Sequence, residues 1–349
     1  MVMRCPTLAE LPPPSKTGWP WTEESPQLRD TMPDGCLWPR VTVVTPSFNQ
    51  GRFIEETIRS VLLQGYPNLE FIIIDGGSTD RSVDIIHRYK DWLSYWVSEA
   101  DKGQSDAINK GWKRSSGEIV AWINADDTYC PGAIQSVVEI FREKDNIVLV
   151  NGAGNRIDVH GKSVSSIMRS QDINPYAMIE QSGGVPSQPS VFFRKRVLDE
   201  VGFLNTELHY AMDWEFWIRI GLYYRPEQLK KTDKVLSNYR DWPETKTNKG
   251  GTISCQERRH VFDSIFRKFS NDRELLRIRR SAYSASYRIQ ASFARGNVET
   301  VEALKCLLRA WCLTPLDYNP VTELLFFLSV MMGKRRRDRL KKRLSTLLS

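Results

Sequence analysis

Between Val41 and Val150 short apolar, β-branched runs alternate with stretches whose apolar residues recur at helical spacing, and this alternation is what most restricts the fold. Val41 to Thr45 reads as a buried strand, and Gly51 to Leu63 carries Ile54, Ile58, Val61 and Leu62 on one helical face. The unit then repeats. Glu70 to Ile74 is a second strand, with a Ser/Thr/Asp helix start at Ser78 to Asp80 and a helix through about Lys90. Ser94 to Val97, Gln104 to Arg114 and Glu118 to Ile123 continue as strand, helix and strand; a helix after Pro131 and a strand over Ile147 to Val150 follow. Strands alternating with helices imply a mainly parallel sheet covered on both faces. Arg156 to Val159 and Lys162 to Ser166 flank His160-Gly161 as a hairpin would, so the sheet is expected to be mixed.

The remainder of the chain frames this unit. Residues 1–39 read as an irregular lead-in, since Pro12 to Pro14 and the later prolines disfavour helix. Residues 40–250 form the expected α/β domain, and 251–349 a helical, basic carboxyl-terminal region. The formal charge of +7 sits in the tail, where Lys334, Arg335, Arg336, Arg337, Arg339, Lys341, Lys342 and Arg343 face Asp338 alone. Basicity confined to one terminus argues against a nucleic-acid partner, which would need a basic face on the fold itself. Leu324 to Met332 is a short apolar block directly before these charges, too short to span a bilayer but suited to lying on an anionic membrane surface. The six cysteines form no CxxC pair and read as reduced thiols, and no apolar leader opens the chain; both point to a cytoplasmic protein, peripheral at the inner face of the plasma membrane.

Ligands of open α/β sheets sit outside the carboxyl ends of the strands. Those positions are polar here. The first strand ends in Thr45-Pro46-Ser47-Phe48-Asn49, the second in Asp75-Gly76-Gly77-Ser78-Thr79-Asp80 and the fourth in Asn124-Ala125-Asp126-Asp127. Adjacent carboxylates at a sheet edge repel unless a cation lies beside them, and hard oxygen ligands suit magnesium or manganese; a turn with a capping Asp before Pro131 is the plainer reading of the pair alone. Asp75 can accept hydrogen bonds from a base or ribose while the glycines allow close backbone approach. Asp101 opens a polar helix start, through Lys110, whose free amides favour phosphate. Asp213 begins an aromatic helix in which Phe216, Trp217 and Ile220 face inward, where an isolated Asp is also a plain cap. Trp96, Trp122 and Trp217 lie in apolar runs and read as core, whereas Trp242 lies in a loop suited to stacking on an acceptor, and His209 is a minor acceptor-side candidate.

Six segments in order, TPSFNQ (45–50), IIIDGGSTD (72–80), EADKGQSDAINKG (99–111), WINADD (122–127), QPSVFFRKRVLDEVG (188–202) and AMDWEFWIR (211–219), resemble the family 2 glycosyltransferases over about Val41 to Arg240. The resemblance implies a GT-A-type α/β fold with a mixed, mainly parallel sheet flanked by helices, here with a helical C-terminal extension. It implies an inverting transfer of a sugar from a nucleoside-diphosphate sugar to the hydroxyl of a carbohydrate or lipid-linked acceptor, as in bacterial cell-surface polysaccharide assembly. Thr45, Pro46, Asp75 and Asp101 would contact the donor, Asp126 the ribose, Asp127 with Asp126 a manganese or magnesium ion, and Asp213 would be the base. The chain departs from the family pattern at Gly76 and Asn124, where many members carry Asp. The rival enzyme, a GT-A-like nucleotidyltransferase, usually opens with a glycine-rich, Arg/Lys-bearing loop that TPSFNQG does not resemble. Retention of Asp126, Asp127 and Asp213 speaks against a non-catalytic scaffold.

Overall fold

The computed structural model describes residues 5–164, 167–181, 185–296 and 299–315. The chain divides into two compact units, one of residues up to 174 with 185–243, the other of 175–184 with the residues from 244 on.

The first unit is built on one eight-stranded sheet. Its opening half runs β1 (Val41–Ser47), α1 (Ile54–Leu62), β2 (Leu69–Asp75), α2 (Ser82–Arg88), β3 (Tyr95–Ser98), α3 (Gln104–Arg114), β4 (Ile119–Trp122), β5 (Thr128–Tyr129) and α4 (Ala133–Glu143). β1, β2, β3 and β4 are parallel, with β1 central, which is why every residue of β1 is buried. The α3 helix packs so closely on this centre that a Cβ at Gly111 would come within 2.4 Å of Val44 Cγ1. After β6 (Leu149–Ile157) come β7 (Val191–Arg194), α6 (Arg196–Val201), α7 (Met212–Tyr223) and β8 (Leu229–Arg240), α5 (Pro175–Gln181) belonging to the second unit. The sheet order is β3-β2-β1-β4-β7-β6-β8-β5, with β7 antiparallel to both neighbours. The sheet is therefore mixed, as expected.

Two expectations change. The hairpin after β6 closes its turn, with Asp158 N donating to Lys162 O (2.8 Å) and Val164 N to Arg156 O (3.0 Å), but among the described residues its returning arm meets β6 only as isolated bridges at Ile157–Ser163 and Gly154–Met168 rather than as a strand. Trp122 and Trp217 are fully buried and stacked, ring centroids 5.2 Å apart, but Trp96 is only half-buried at the end of the sheet.

The lead-in is irregular but firmly attached. Arg59, in α1, is fully buried and donates to the carbonyls of Pro12 (3.0 Å), Pro20 (3.0 Å) and Trp21 (2.9 Å) and to Tyr89 Oη (3.1 Å). A buried guanidinium is tolerated where its donors meet fixed acceptors, and here the acceptors are backbone oxygens of a proline-rich segment that has no ladder to satisfy them. The second unit is helical: α5, then α8 (Lys246–Lys268), kinked at Gly251, α9 (Arg273–Gly296) and α10 (Thr300–Leu313). The apolar block and basic tail of 324–343 lie outside the described residues. The six cysteines are free. Among the described residues no helix is long and apolar enough to cross a membrane.

Candidate active site

The carboxyl ends of the strands are stitched into one rim by side chains from neighbouring connections. The loop after β1 is tied to the loop after β2: Asn49, at φ 52°, donates its N–H to Ser78 Oγ (2.7 Å) and accepts from Thr79 N (2.9 Å). Asp75 holds this junction. Fully buried, it accepts from the hydroxyls of Ser47 (2.9 Å), Ser78 (2.6 Å) and Ser98 (2.7 Å) and the amides of Gly77 (3.2 Å) and Ser78 (2.8 Å). Five donors fill the roughly four lone-pair sites of a carboxylate, so Asp75, expected to accept from a nucleoside, instead shapes the rim from below. Thr45 and Pro46 are also buried rather than facing a pocket, and Thr45 Oγ1 meets no hydrogen-bond partner. Phe48, which sequence reasoning passed over, is 60 % exposed above them.

On the other side of β1, the start of α3 meets the end of β4. Gln104 Nε2 donates to Asn124 Oδ1 (2.6 Å), and Asn124 Nδ2 donates to Asp127 Oδ2 and Gln188 Oε1 (both 3.2 Å). Asn124 is thus a junction between elements, a use to which an amide, as both donor and acceptor, is suited and an ionised carboxylate is not. Ser105, also at the start of α3, donates to Leu208 O (3.3 Å) and approaches Met212 Sδ (2.8 Å), while Asn109 brackets the backbone of Leu204 with both ends of its amide. These contacts bring the first turn of α7, with half-buried Asp213, beside the rim. Exposed His209 lies in the same connection, 3.7 Å from where a Cβ on Gly103 would stand.

The two adjacent carboxylates turn out to be unlike. Asp127 was expected on an exposed edge; it is 1 % exposed, with Oδ1 accepting from Arg240 N (2.9 Å) and Oδ2 from Asn124. Asp126 is half-buried, and its Oδ2 accepts from Trp242 Nε1 (3.0 Å). Trp242 is thereby occupied at its polar end and packed edge-on to Phe53, an arrangement the loop position did not foretell. Arg240, 1 % exposed, unites the pair: Nε donates to Asp126 O (2.8 Å), Nη1 to Asp158 O (3.1 Å), and Nη2 lies 3.1 Å from Glu56 Oε1. Burial pushes the Asp127 carboxyl well above the usual carboxylate range, and the charge of Asp126 adds to the shift; burial also raises Asp126, against the Trp242 N–H that favours its charged form.

This chemistry fits a hard divalent cation on one condition. Among the described residues no three His, Cys, Asp or Glu side chains form a cage for an ion. An ion at Asp126 would therefore complete its shell with phosphate oxygens and water, the mode in which magnesium-type sites use one or two carboxylates together with a substrate's phosphates. Its positive charge would relieve the unfavourable ionisation of the paired carboxylates. Of the two, Asp126 is the more accessible carboxylate, and Asp127 is enclosed.

A mixed, mainly parallel sheet with this polar rim has the GT-A fold. Two solved structures share it: S. aureus TarS in complex with UDP-GlcNAc (TM-score 0.57, 18 % identity, 78 % of this chain and 79 % of that one) and the mannosyltransferase PcManGT from Pyrobaculum calidifontis in complex with GDP-Man and Mn2+ (TM-score 0.54, 19 % identity, 86 % and 88 %). Residues 42–202 match the model of glycosyl transferase family 2. Uncharacterized glycosyltransferases of Nostoc sp. and Rickettsia typhi are each 28 % identical to it, over 209 and 215 residues, or 57 % and 58 % of this chain. The matched stretch spans 63 % and 66 % of those relatives' own length.

Proposed function

We propose that the rim binds a nucleoside-diphosphate sugar together with manganese or magnesium, and that the protein transfers the sugar with inversion to an acceptor hydroxyl. The observation that carries the reading is the half-buried Asp126 carboxylate at the end of β4, held in place by Trp242 and by the Arg240 contact to its own carbonyl, within a family 2 fold. Asp126 and Asp101 face the donor. Thr45, Pro46, Asp75 and Asp127 support the rim from within the fold. The metal, when bound, would offset the charge developing on the departing diphosphate. Asp213 takes the proton of the attacking hydroxyl, and a single displacement at the anomeric carbon inverts its configuration. The neighbours' complexes with UDP-GlcNAc and with GDP-Man and Mn2+ support a donor of this class. Thermal shift against a panel of nucleotide sugars tests the reading: at least one donor should raise the melting temperature in manganese and lose that effect in excess EDTA. Equal shifts with and without metal would refute the metal-dependent site.

The acceptor is a carbohydrate or a lipid-linked sugar of cell-surface polysaccharide assembly, met at the inner face of a membrane to which the basic tail adheres. The eight cations of 334–343 behind the apolar block of 324–332 support this placement. The full chain should pellet with liposomes containing acidic lipid, and deletion of 322–349 should abolish pelleting; retention after the deletion would remove the tail from the account.

A further inference from the structure

The groove between α1 and α2 holds a cavity that the donor rim does not use. It encloses about 390 Å³, within the roughly 300–1,000 Å³ range of small-molecule pockets, and one wall comes from Ser15, Lys16 and Trp21 of the lead-in. That wall precedes residues 42–202, the stretch matched by the family model. A layer of side chains divides the cavity from the turn that carries Asp126. Glu56 turns Oε2 to Lys16 Nζ (3.2 Å) in the cavity wall and Oε1 to Arg240 Nη2 (3.1 Å) behind it. Phe53 likewise meets Arg52, which lines the cavity, at 5.2 Å from its ring centroid and Trp242 edge-on at 5.0 Å.

The charges around the cavity do not cancel. Four cations and three carboxylates line it, and two of the carboxylates are already matched. Glu56 is held by Lys16 and Arg240, and Glu55 by Arg88 (3.0 Å) and by Tyr89 Oη, which donates to its other oxygen (2.9 Å). Arg52 and Arg81, both exposed in the cavity wall, pair with no carboxylate among the described residues. Two unpaired guanidinia in one recess repel each other, and a phosphate, which each can grip through two N–H donors, relieves that repulsion. The exposed side chains of Asp84 and Ser15 also line the cavity and have no hydrogen-bond partner among the described residues. A carboxylate repels phosphate and accepts from hydroxyls, so Asp84 suits a different part of the same ligand. Aromatic stacking adds nothing, because Trp21 is 4 % exposed and its ring already meets Lys16 (5.0 Å) and Arg59 (5.4 Å).

We propose that this cavity is a second ligand site, separate from the donor rim, that takes a sugar phosphate: Arg52 and Arg81 hold the phosphate, and Asp84 and Ser15 the sugar hydroxyls. The probes are glucose 6-phosphate and mannose 6-phosphate, titrated calorimetrically into the full chain in EDTA, where no divalent ion can recruit a phosphate to Asp126. At least one should bind with a Kd of about 1 mM or less. Glucose should give no binding heat, and inorganic phosphate should bind more weakly by about tenfold or more, the worth of one to two charge-assisted hydrogen bonds. The double variant Arg52→Gln, Arg81→Gln should weaken the sugar phosphate by about tenfold or more on the same ground. It should melt close to the wild type, since neither guanidinium holds an ion pair. Asp84→Ala should weaken the sugar phosphate without weakening inorganic phosphate. Asp126→Ala, at the donor rim, should leave sugar-phosphate affinity unchanged. No binding of either hexose phosphate, full affinity in the double arginine variant, or loss of binding in Asp126→Ala would overturn the proposal. Inorganic phosphate binding as tightly as both hexose phosphates would overturn the ligand assigned to the cavity.

Discussion

Asp213→Asn is expected to leave donor affinity intact and to reduce sugar transfer by about 10²-fold or more, the range a positioned general base supplies. An acceptor hydroxyl has a pKa far above neutrality, so its proton must leave as the new bond forms, and only an ionised acceptor close to the oxygen can take it. Asp213 and Glu215 both lie in the first turn of α7, and their surroundings differ. Glu215 forms a two-pronged ion pair with Arg219, Oε1 at 2.6 Å from Nε and Oε2 at 2.9 Å from Nη2. The same guanidinium donates to Val201 O (2.7 Å) and Phe203 O (2.8 Å), so Glu215 anchors α7 to the turn after α6. A carboxylate held by a bidentate arginine has both oxygens engaged by the guanidinium. Asp213 lies about 200° around the helix from Glu215, on the turn that α3 brings to the rim through Ser105 and Met212. Asp213→Asn is read by the ratio of kcat to donor Kd, which a loss of fold would not divide. Glu215→Gln should instead lower thermal stability with a smaller effect on kcat; an inactive Glu215→Gln beside an active Asp213→Asn would reverse the assignment.

The βα rhythm was legible because the strands of the parallel half are buried on both faces and so are largely apolar, as β1 and β4 are. β8 escaped notice for the opposite reason: LKKTDKVLSNYR alternates poorly, and most of its residues are exposed or only half-buried. The buried arginines were also hidden. Arg59 and Arg240 look like surface residues by type, and only tertiary structure supplies the carbonyls and the carboxylate that make their burial tolerable. At the site, sequence located the rim but not the use of each group on it. Asp75 and Asp127 were singled out with Asp126 because all end apolar strands, yet which carboxylate is saturated by neighbours depends on serines, amides and an arginine as distant in sequence as Ser98 and Arg240. In the turn between β4 and β5, adjacent Asp126 and Asp127 meet different surroundings, one half-buried beside Trp242, the other enclosed.

That difference leads to opposite outcomes for the two substitutions. Asp126→Ala removes the carboxylate facing a bound ion, while the backbone carbonyl that holds Arg240 remains. The variant should melt close to the wild type in the absence of ligand, yet lose manganese-dependent donor binding and reduce transfer by about 10²-fold or more, since the diphosphate loses its link to the fold. Asp127→Ala acts through stability instead. It leaves two buried donors, the Arg240 N–H and the Asn124 amide, without their acceptor, at about 1–3 kcal/mol for each orphaned group. Asp127→Asn distinguishes charge from shape. Burial raises the Asp127 carboxyl in the folded state, so its protonated form favours folding; wild-type stability from this group is complete below the unfolded value near 4 and is lost as pH rises through the raised folded value. Asn does not titrate, so its stability relative to the wild type should increase from pH 4 to pH 8 in metal-free buffer, measured by urea denaturation. Manganese should reduce that difference in the wild type's favour by offsetting the paired charge. If Asp126→Ala unfolds the protein while Asp127→Ala melts normally and abolishes manganese-dependent binding, the roles of the two carboxylates must be exchanged.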